Sequence, residues 1–173
     1  MKYVSLFFLF LGLSLGVSFA QDTPLLMVEE LPYKEIGPAP EVYTAATMAA
    51  RMIDGLGYRY YWATEGLRKE DMDYLPSKDA RTLKETLTHI HGLSQAIFNA
   101  SRKLPNEGPS MNRPDEFKAL RQATLKNLEQ ASIILKKNPN QDMEELKVIF
   151  KRGENSSEFP YWNLINGQIS DAL

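Results

Sequence analysis

The chain has 173 residues, a formal net charge of −2 and no cysteine. This near-neutral charge gives no reason to expect nucleic acid or an anionic membrane surface as a partner. The lack of cysteine excludes a disulfide framework, a lipid-modified N-terminal cysteine, a cysteine nucleophile and a thiolate metal site.

The first twenty residues have the three parts of a secretory signal peptide. Lys2 supplies a positive charge, an uncharged apolar run extends from Leu6 to Val17, and Ser18-Phe19-Ala20 resembles a signal-peptidase site. An uncleaved membrane anchor is the alternative, but the apolar run is shorter than the roughly 20 residues of a spanning helix. We therefore predict that residues 1–20 are removed and that the protein is exported to the periplasm or extracellular space, without stable membrane insertion.

Residues 21–40 are rich in proline and predict an extended leader, which either lies on the domain surface or stays mobile. A first helix is predicted from Glu41 to about Leu67, because its apolar residues alternate steps of four and three. These residues are Val42, Ala46, Ala49, Ile53, Leu56, Tyr60, Ala63 and Leu67.

Two further helices are predicted at about 80–103 and 115–138, separated by a loop rich in proline and glycine. Residues 142–158 are ambiguous, because MEELKVIF is compatible with a short helix whereas KRGENSS indicates a turn. A fourth helix is predicted from Pro160 to Leu173, and it reaches the end of the chain without a stop signal. The predicted fold class is all-α, a four-helix bundle over residues 41–173 with an incomplete last helix.

The two histidines, His89 and His91, lie two residues apart on the predicted second helix. They project about 200° apart around a helix axis and cannot readily share one metal ion. With Ile90 as the centre of the buried face, His89 has small and apolar neighbours, whereas His91 lies beside Lys84 and Gln95. We predict that His89 faces inward, either as a hydrogen-bonded core-edge residue or as a metal ligand, and that His91 lies at the solvent boundary.

Two stretches, ATEGLRKEDMDYLPSKDARTLKETLTHIHGLS and FPYWNLINGQISDAL, together resemble the exported bacterial branch of the DinB-like superfamily of four-helix bundles. The likeness covers Tyr43 to the end. It implies a divalent metal ion, zinc or nickel, held by one histidine of the second helix and two of the last. The second-helix ligand corresponds to His89, Asp171 stands where the first of the other two is usual, and the third is expected beyond Leu173. A solvated helix residue is the alternative for Asp171.

The resemblance implies a metal-dependent hydrolase or transferase that acts on a small molecule by activating a bound water or thiol. It identifies no catalytic residue apart from the metal ligands. The alternative is a non-catalytic bundle that binds a ligand or partner, with its aromatic residues either lining a pocket or packing in the core. These residues are Tyr58, Tyr60, Tyr61, Trp62, Tyr161 and Trp162. The sequence does not decide between enzyme and binding protein, and it leaves a homodimer paired through a helix face open.

Overall fold

A computed structural model describes residues 30–108 and 113–172, so the predicted signal peptide lies outside the described residues. Three long helices, α1 (Ala45–Thr64), α2 (Leu83–Ser101) and α3 (Phe117–Lys137), confirm the first three predicted helices. Both α1 and α2 pack against α3. Two 3-10 helices span Lys69–Asp73 and Met143–Glu145. Among the described residues, no helix is both long and apolar enough to cross a bilayer.

The prediction of an all-α four-helix bundle is wrong, because the protein also contains a three-stranded mixed sheet. Its strands are β1 (Asn106–Glu107), β2 (Lys147–Arg152) and β3 (Asn155–Pro160). The central strand β2 runs parallel to β1 and antiparallel to β3. The segment that was ambiguous in the sequence is therefore mainly a β-hairpin added to the helices.

The hairpin turns at Gly153 and Glu154, as the KRGENSS stretch predicts. Gly153 has φ +61°, a left-handed conformation that glycine adopts without steric cost. Val148 is buried, but every residue of β3 is exposed. An exposed edge strand carries no apolar alternation, so periodicity did not reveal it.

The predicted last helix is divided in the structure, which corrects the expectation of one helix from Pro160 to the end of the chain. Pro160 closes β3, where an edge position tolerates a residue without a backbone N–H. Two short helices follow, α4 (Asn163–Asn166) and α5 (Gln168–Ala172). They are separated by Gly167, where an added Cβ would lie 2.8 Å from the carbonyl oxygen of Asn163.

The core lies between α1, α2 and α3, and Leu164 of α4 and Ile169 of α5 pack into it. The apolar residues that predict the first helix, here called the seam, are buried in the middle of α1 and exposed at Val42 and Ala63. Val42 precedes the helix, because Thr44 forms the N-cap and accepts a hydrogen bond from the backbone N–H of Thr47. The buried members of the seam are Ala46, Ala49, Ile53, Leu56 and Tyr60.

The end of the predicted leader lies along α1, and we call residues 31–37 the strap. The indole Nε1 of Trp62 donates a hydrogen bond of 3.2 Å to the carbonyl of Lys34. The guanidinium of Arg51 donates one of 2.7 Å to the carbonyl of Gly37. Of the two alternatives for the leader, the structure shows surface packing for this part.

The strap is anchored by Tyr33, whose ring packs against Gly57 so closely that a Cβ there would lie 2.4 Å from it. The Tyr33 hydroxyl donates a hydrogen bond of 3.3 Å to Oδ1 of Asp54, a carboxylate only 3% exposed. Ser132 of α3 donates to the same oxygen at 2.6 Å. The ammonium of Lys136 lies 2.6 Å from Oδ2 as an ion pair without hydrogen-bond geometry. This buried carboxylate therefore connects the strap, α1 and α3.

Candidate functional site

The most chemically distinctive feature is an open groove beside the first turns of α2, with a volume of about 500 Å³. We call it the basic groove. It is lined by Arg81, Lys84, Glu85, Thr88, His89 and Arg113. Arg113 comes from the segment before α3, and the other five residues come from α2 and the residue before its cap. The groove therefore lies between two separate parts of the chain.

Local capping explains how these side chains are positioned. The hydroxyl of Thr82 accepts a hydrogen bond of 3.2 Å from the backbone N–H of Glu85. In return, Oε2 of Glu85 accepts bonds from the backbone N–H of Thr82 at 2.8 Å and from its hydroxyl at 3.0 Å. This reciprocal pair is a capping box, which begins the helix at Leu83. The backbone bond from Thr82 holds the pKa of Glu85 below its ordinary value.

The charges of the groove are strongly unbalanced. Arg81, Lys84 and Arg113 carry three positive charges against the single carboxylate of Glu85, in a chain whose overall formal charge is −2. That carboxylate is already engaged by the helix cap, and His89 adds an imidazole. Arginine and lysine side chains around a concave surface favour anions such as carboxylate, sulfate and phosphate groups. The groove has no comparable preference for cations.

The structure reverses the predicted orientations of the histidines. His89 is exposed in the groove, whereas His91 is only 5% exposed. The prediction took Ile90 as the centre of the buried face, but the buried stripe of α2 follows Leu87, His91 and Ser94. Apolar spacing alone misplaced the face, because polar residues with hydrogen-bond partners are also buried here.

His91 is buried because α3 supplies its partner. Its Nδ1 lies 3.2 Å from Oγ1 of Thr124, and the Thr124 hydroxyl donates a hydrogen bond of 2.8 Å to the carbonyl of Leu120. The single hydroxyl proton is therefore used, and Nδ1 of a neutral His91 must carry the proton of the shared bond. Burial lowers the pKa of His91, and the positive charge of Arg113 lowers it further. His91 is thus a neutral structural link between α2 and α3.

The predicted metal ligands do not form a complete site among the residues that the structure describes. His89 and Asp171 are both exposed, the first in the basic groove and the second on α5. Across residues 30–108 and 113–172 there is no group of three or more His, Cys, Asp or Glu able to hold an ion. The positive side chains around His89 would also repel a divalent cation. The zinc or nickel site stays a prediction from the resemblance.

The aromatic residues proposed as pocket walls are not in the basic groove. Tyr60 and Tyr161 are buried in the core, and Tyr58, Trp62 and Trp162 are exposed. The ring of Tyr61 contacts that of Trp62 edge to face, with centroids 5.2 Å apart. These aromatic residues therefore pack in the core and at its boundary, and none of them lines the groove.

The basic residues of the groove were not singled out in the sequence. Arg81 lies one residue before the N-cap and Lys84 lies in the first turn of α2, and both line the groove. Arg113 is distant in sequence and joins them only through the packing of α3 against α2. Arg81 and Lys84 are neighbours in the sequence near the predicted start of the second helix, so a local pattern could have indicated these two, but not Arg113.

Comparisons with known proteins do not identify a family for this chain. No protein-family model, curated protein or solved structure matches it at a significant level. The resemblance to DinB-like proteins therefore remains an inference from the two sequence stretches. The candidate function has to be argued from the groove itself.

Proposed function

We propose that this protein is a binding domain for small anionic molecules and that the basic groove is its ligand site. The observation that carries the proposal is the convergence of Arg81, Lys84, Arg113 and His89 around one concavity. Its one acidic residue, Glu85, is occupied by the helix cap. A volume of about 500 Å³ suits a small metabolite rather than a macromolecule. This develops the ligand-binding alternative of the sequence analysis.

The guanidinium groups of Arg81 and Arg113 would bind a carboxylate, sulfate or phosphate through paired N–H donors, and Lys84 would add a point charge. Thr88 places a hydroxyl on the same wall. The groove is open to solvent, so each charge pair contributes modestly and is screened by salt. Export, as predicted from residues 1–20, would present this site outside the cytoplasm.

Titration calorimetry with sulfate and with succinate tests the proposal. We expect saturable binding that weakens as sodium chloride is added, because the attraction is between partly solvated charges. The double variant Arg81→Gln, Lys84→Gln should bind about fivefold to tenfold more weakly, since two exposed charge pairs are lost.

Arg59→Gln is the matched control, because it removes one positive charge from an exposed position of α1 that does not line the groove. Its affinity should equal that of the wild type. If Arg59→Gln weakened anion binding as much as the double variant does, the effect would come from the overall charge of the protein and not from the groove. No binding of either anion would refute the proposed site.

The metal-dependent hydrolase or transferase implied by the resemblance is the competing hypothesis. No geometric feature of the described residues supports it, because Glu85 is the only other potential metal ligand that lines the groove with His89, and no group of three or more such residues surrounds it. The two hypotheses differ in what the protein should contain after purification, either a bound metal ion or an empty anion site. Metal analysis therefore separates them directly.

A further inference from the structure

We propose that the space beneath the strap is a second binding site, for small neutral phenols, and that Tyr33 occupies it as an internal ligand which a free phenol displaces. We call this space the ring slot. It lies between Gly57 and Asp54 of α1 and Ser132 of α3, and it shares none of these residues with the basic groove. The proposal is therefore independent of anion binding.

The shape of the ring slot suits one aromatic ring. A Cβ on Gly57 would lie 2.4, 2.5 and 2.7 Å from three atoms of the Tyr33 ring, so the ring lies directly against the backbone of α1. The same ring packs against both clusters of buried apolar side chains, one containing Leu56 and the other Tyr60. The slot therefore offers a ring close contact with helix backbone and with apolar side chains.

The polar end of the ring slot is the buried carboxylate of Asp54, which accepts the hydrogen bond of 3.3 Å from the Tyr33 hydroxyl. Burial raises the pKa of Tyr33, and the charge of Asp54 raises it further, so the hydroxyl keeps its proton. A ligand in this position has to bring a hydrogen-bond donor and no negative charge. A neutral phenol meets both conditions, whereas sulfate and carboxylate groups do not.

The polar end does not depend on the strap. Ser132 donates a hydrogen bond of 2.6 Å to Oδ1 of Asp54, and the ammonium of Lys136 lies 2.6 Å from Oδ2. Both partners come from α3, so the buried carboxylate stays compensated when the Tyr33 hydroxyl leaves. The ring slot is therefore formed by α1 and α3, and the strap only fills it.

The strap is held in a way that permits release. Tyr33 has φ +73°, a strained left-handed conformation that is relieved when the segment detaches. The hydrogen bonds that Arg51 and Trp62 donate to the strap are exposed, and Leu31 adds an apolar contact. Such a segment opens locally at a lower free energy than global unfolding. A phenol that binds only the open form shifts the equilibrium towards it.

The test uses p-cresol, which is the tyrosine side chain as a free molecule. Tryptic cleavage after Lys34 reports strap release, because Trp62 holds the carbonyl of the bond that trypsin cuts. In the wild type this rate should rise about tenfold at about ten times the Kd of p-cresol for Tyr33→Ala, since the open population grows by one plus the ratio of concentration to Kd. Cleavage after Lys78, in the exposed loop before α2, should not change.

Toluene is the matched ligand control, because it has the same ring without the hydroxyl. It should bind the slot about tenfold more weakly than p-cresol, since it makes no hydrogen bond to the carboxylate. Its effect on cleavage after Lys34 should be correspondingly smaller at the same concentration.

The variant Tyr33→Ala empties the ring slot. Calorimetry should show that it binds p-cresol at least about tenfold more tightly than the wild type, because no internal ligand competes. Adding Gly57→Ala should abolish this binding, since the methyl group fills the slot. Adding Gly92→Ala instead should leave the affinity unchanged, because a Cβ there meets nothing within 4 Å. Circular dichroism verifies that each protein is folded.

Tyr33→Phe is a milder variant that keeps the ring and loses the hydroxyl. Without p-cresol it should be cleaved after Lys34 about tenfold faster than the wild type, because the bond to the carboxylate is lost. It decides whether Tyr33 acts as the internal ligand even when Tyr33→Ala does not fold. Equal cleavage rates in Tyr33→Phe and the wild type would overturn that role.

Two further outcomes would overturn the proposal. If p-cresol left cleavage of the wild type after Lys34 unchanged, binding to Tyr33→Ala would show only a cavity made by the substitution. If a folded Tyr33→Ala did not bind p-cresol, the slot would not be a phenol site. Sulfate titration of the same samples reports on the basic groove separately, so failure of either proposal can be recognised without the other.

Discussion

At the scale of single residues, the two histidines show how hydrogen-bond partners decide burial. His89 and His91 are two residues apart on the same helix, yet only His91 is hydrogen-bonded to a side chain of α3, the hydroxyl of Thr124. A second pair next to it, Asn127 Nδ2 donating to Oγ of Ser94 at 3.1 Å, keeps the same face of α2 buried. An imidazole with a partner can be buried at low cost, whereas one without a partner remains in water.

The buried His91 should make folding stability depend on pH. Burial lowers its pKa below the ordinary value of 6.5, so the folded protein keeps the ring neutral. The unfolded chain takes up a proton as the pH falls through about 6.5, and the folded chain does so only at lower pH. The contribution of His91 is therefore complete above that pH, and it is lost as the pH falls towards the pKa of the folded state.

Denaturant unfolding at about pH 7.5 and about pH 5.5 measures this effect. We expect the wild type to lose more free energy of unfolding on acidification than His91→Gln, which has no imidazole to protonate at this position. Gly92→Ala, which changes an exposed position of the same helix without altering a titratable group, is the control and should lose as much as the wild type. Equal losses in the wild type and His91→Gln would contradict the assignment.

At the scale of elements, the strap depends on a close approach that only glycine permits. The ring of Tyr33 occupies the space where residue 57 would carry a Cβ. Tyr33 itself has φ +73°, a left-handed conformation that costs free energy in a non-glycine residue. Its ring packing and its bond to the buried Asp54 offset that cost.

We expect Gly57→Ala to destabilise the protein by about 1 to 3 kcal/mol, the usual cost of overpacking. The new methyl group would meet the near side of the Tyr33 ring, so the strap would have to move. Chemical denaturation measures the change, and limited proteolysis between residues 31 and 37 reports whether the strap has been released.

Gly92→Ala is the matched control on α2, because the position is exposed and a Cβ there would meet nothing within 4 Å. It should stabilise the protein by about 1 kcal/mol through helix propensity alone. If Gly57→Ala were as stable as Gly92→Ala, the contact between Tyr33 and Gly57 would not prevent residue 57 from carrying a Cβ.

At the scale of the whole molecule, charge is distributed unevenly. The chain is slightly acidic overall, yet three cations and an imidazole face one groove. Carboxylates elsewhere pair with basic groups, such as Glu65 with Arg121 and Asp71 with Arg68 at 3.0 Å. A local excess of positive charge on an acidic protein raises the local concentration of anions and lowers that of metal cations.

Prolonged dialysis against a chelator should therefore leave both the unfolding midpoint and the sulfate affinity unchanged. The reason is that the positive charges of the basic groove attract anions and repel metal cations. Dialysis without chelator is the control, and metal analysis of the purified protein accompanies both. Stoichiometric metal that is lost in His89→Ala would instead support the metal-dependent enzyme implied by the resemblance.

The amino-acid sequence by itself determined the three long helices and the central part of their core. Periodic apolar residues and loops rich in proline and glycine act over a few residues, so they can be read locally. The turn at Gly153 could be predicted from the sequence for the same reason. The two strands joined by this turn could not be predicted in the same way. Strand β3 is held by backbone hydrogen bonds to β2, and its sequence shows no apolar alternation.

Tertiary structure alone decided which histidine is buried and where the basic groove lies. Burial of His91 requires Thr124, which is 33 residues away, and the groove requires Arg113 beside the start of α2. Hydrogen bonding and electrostatic attraction depend on distances between side chains of different elements. Helix packing sets those distances, and local sequence patterns do not contain them.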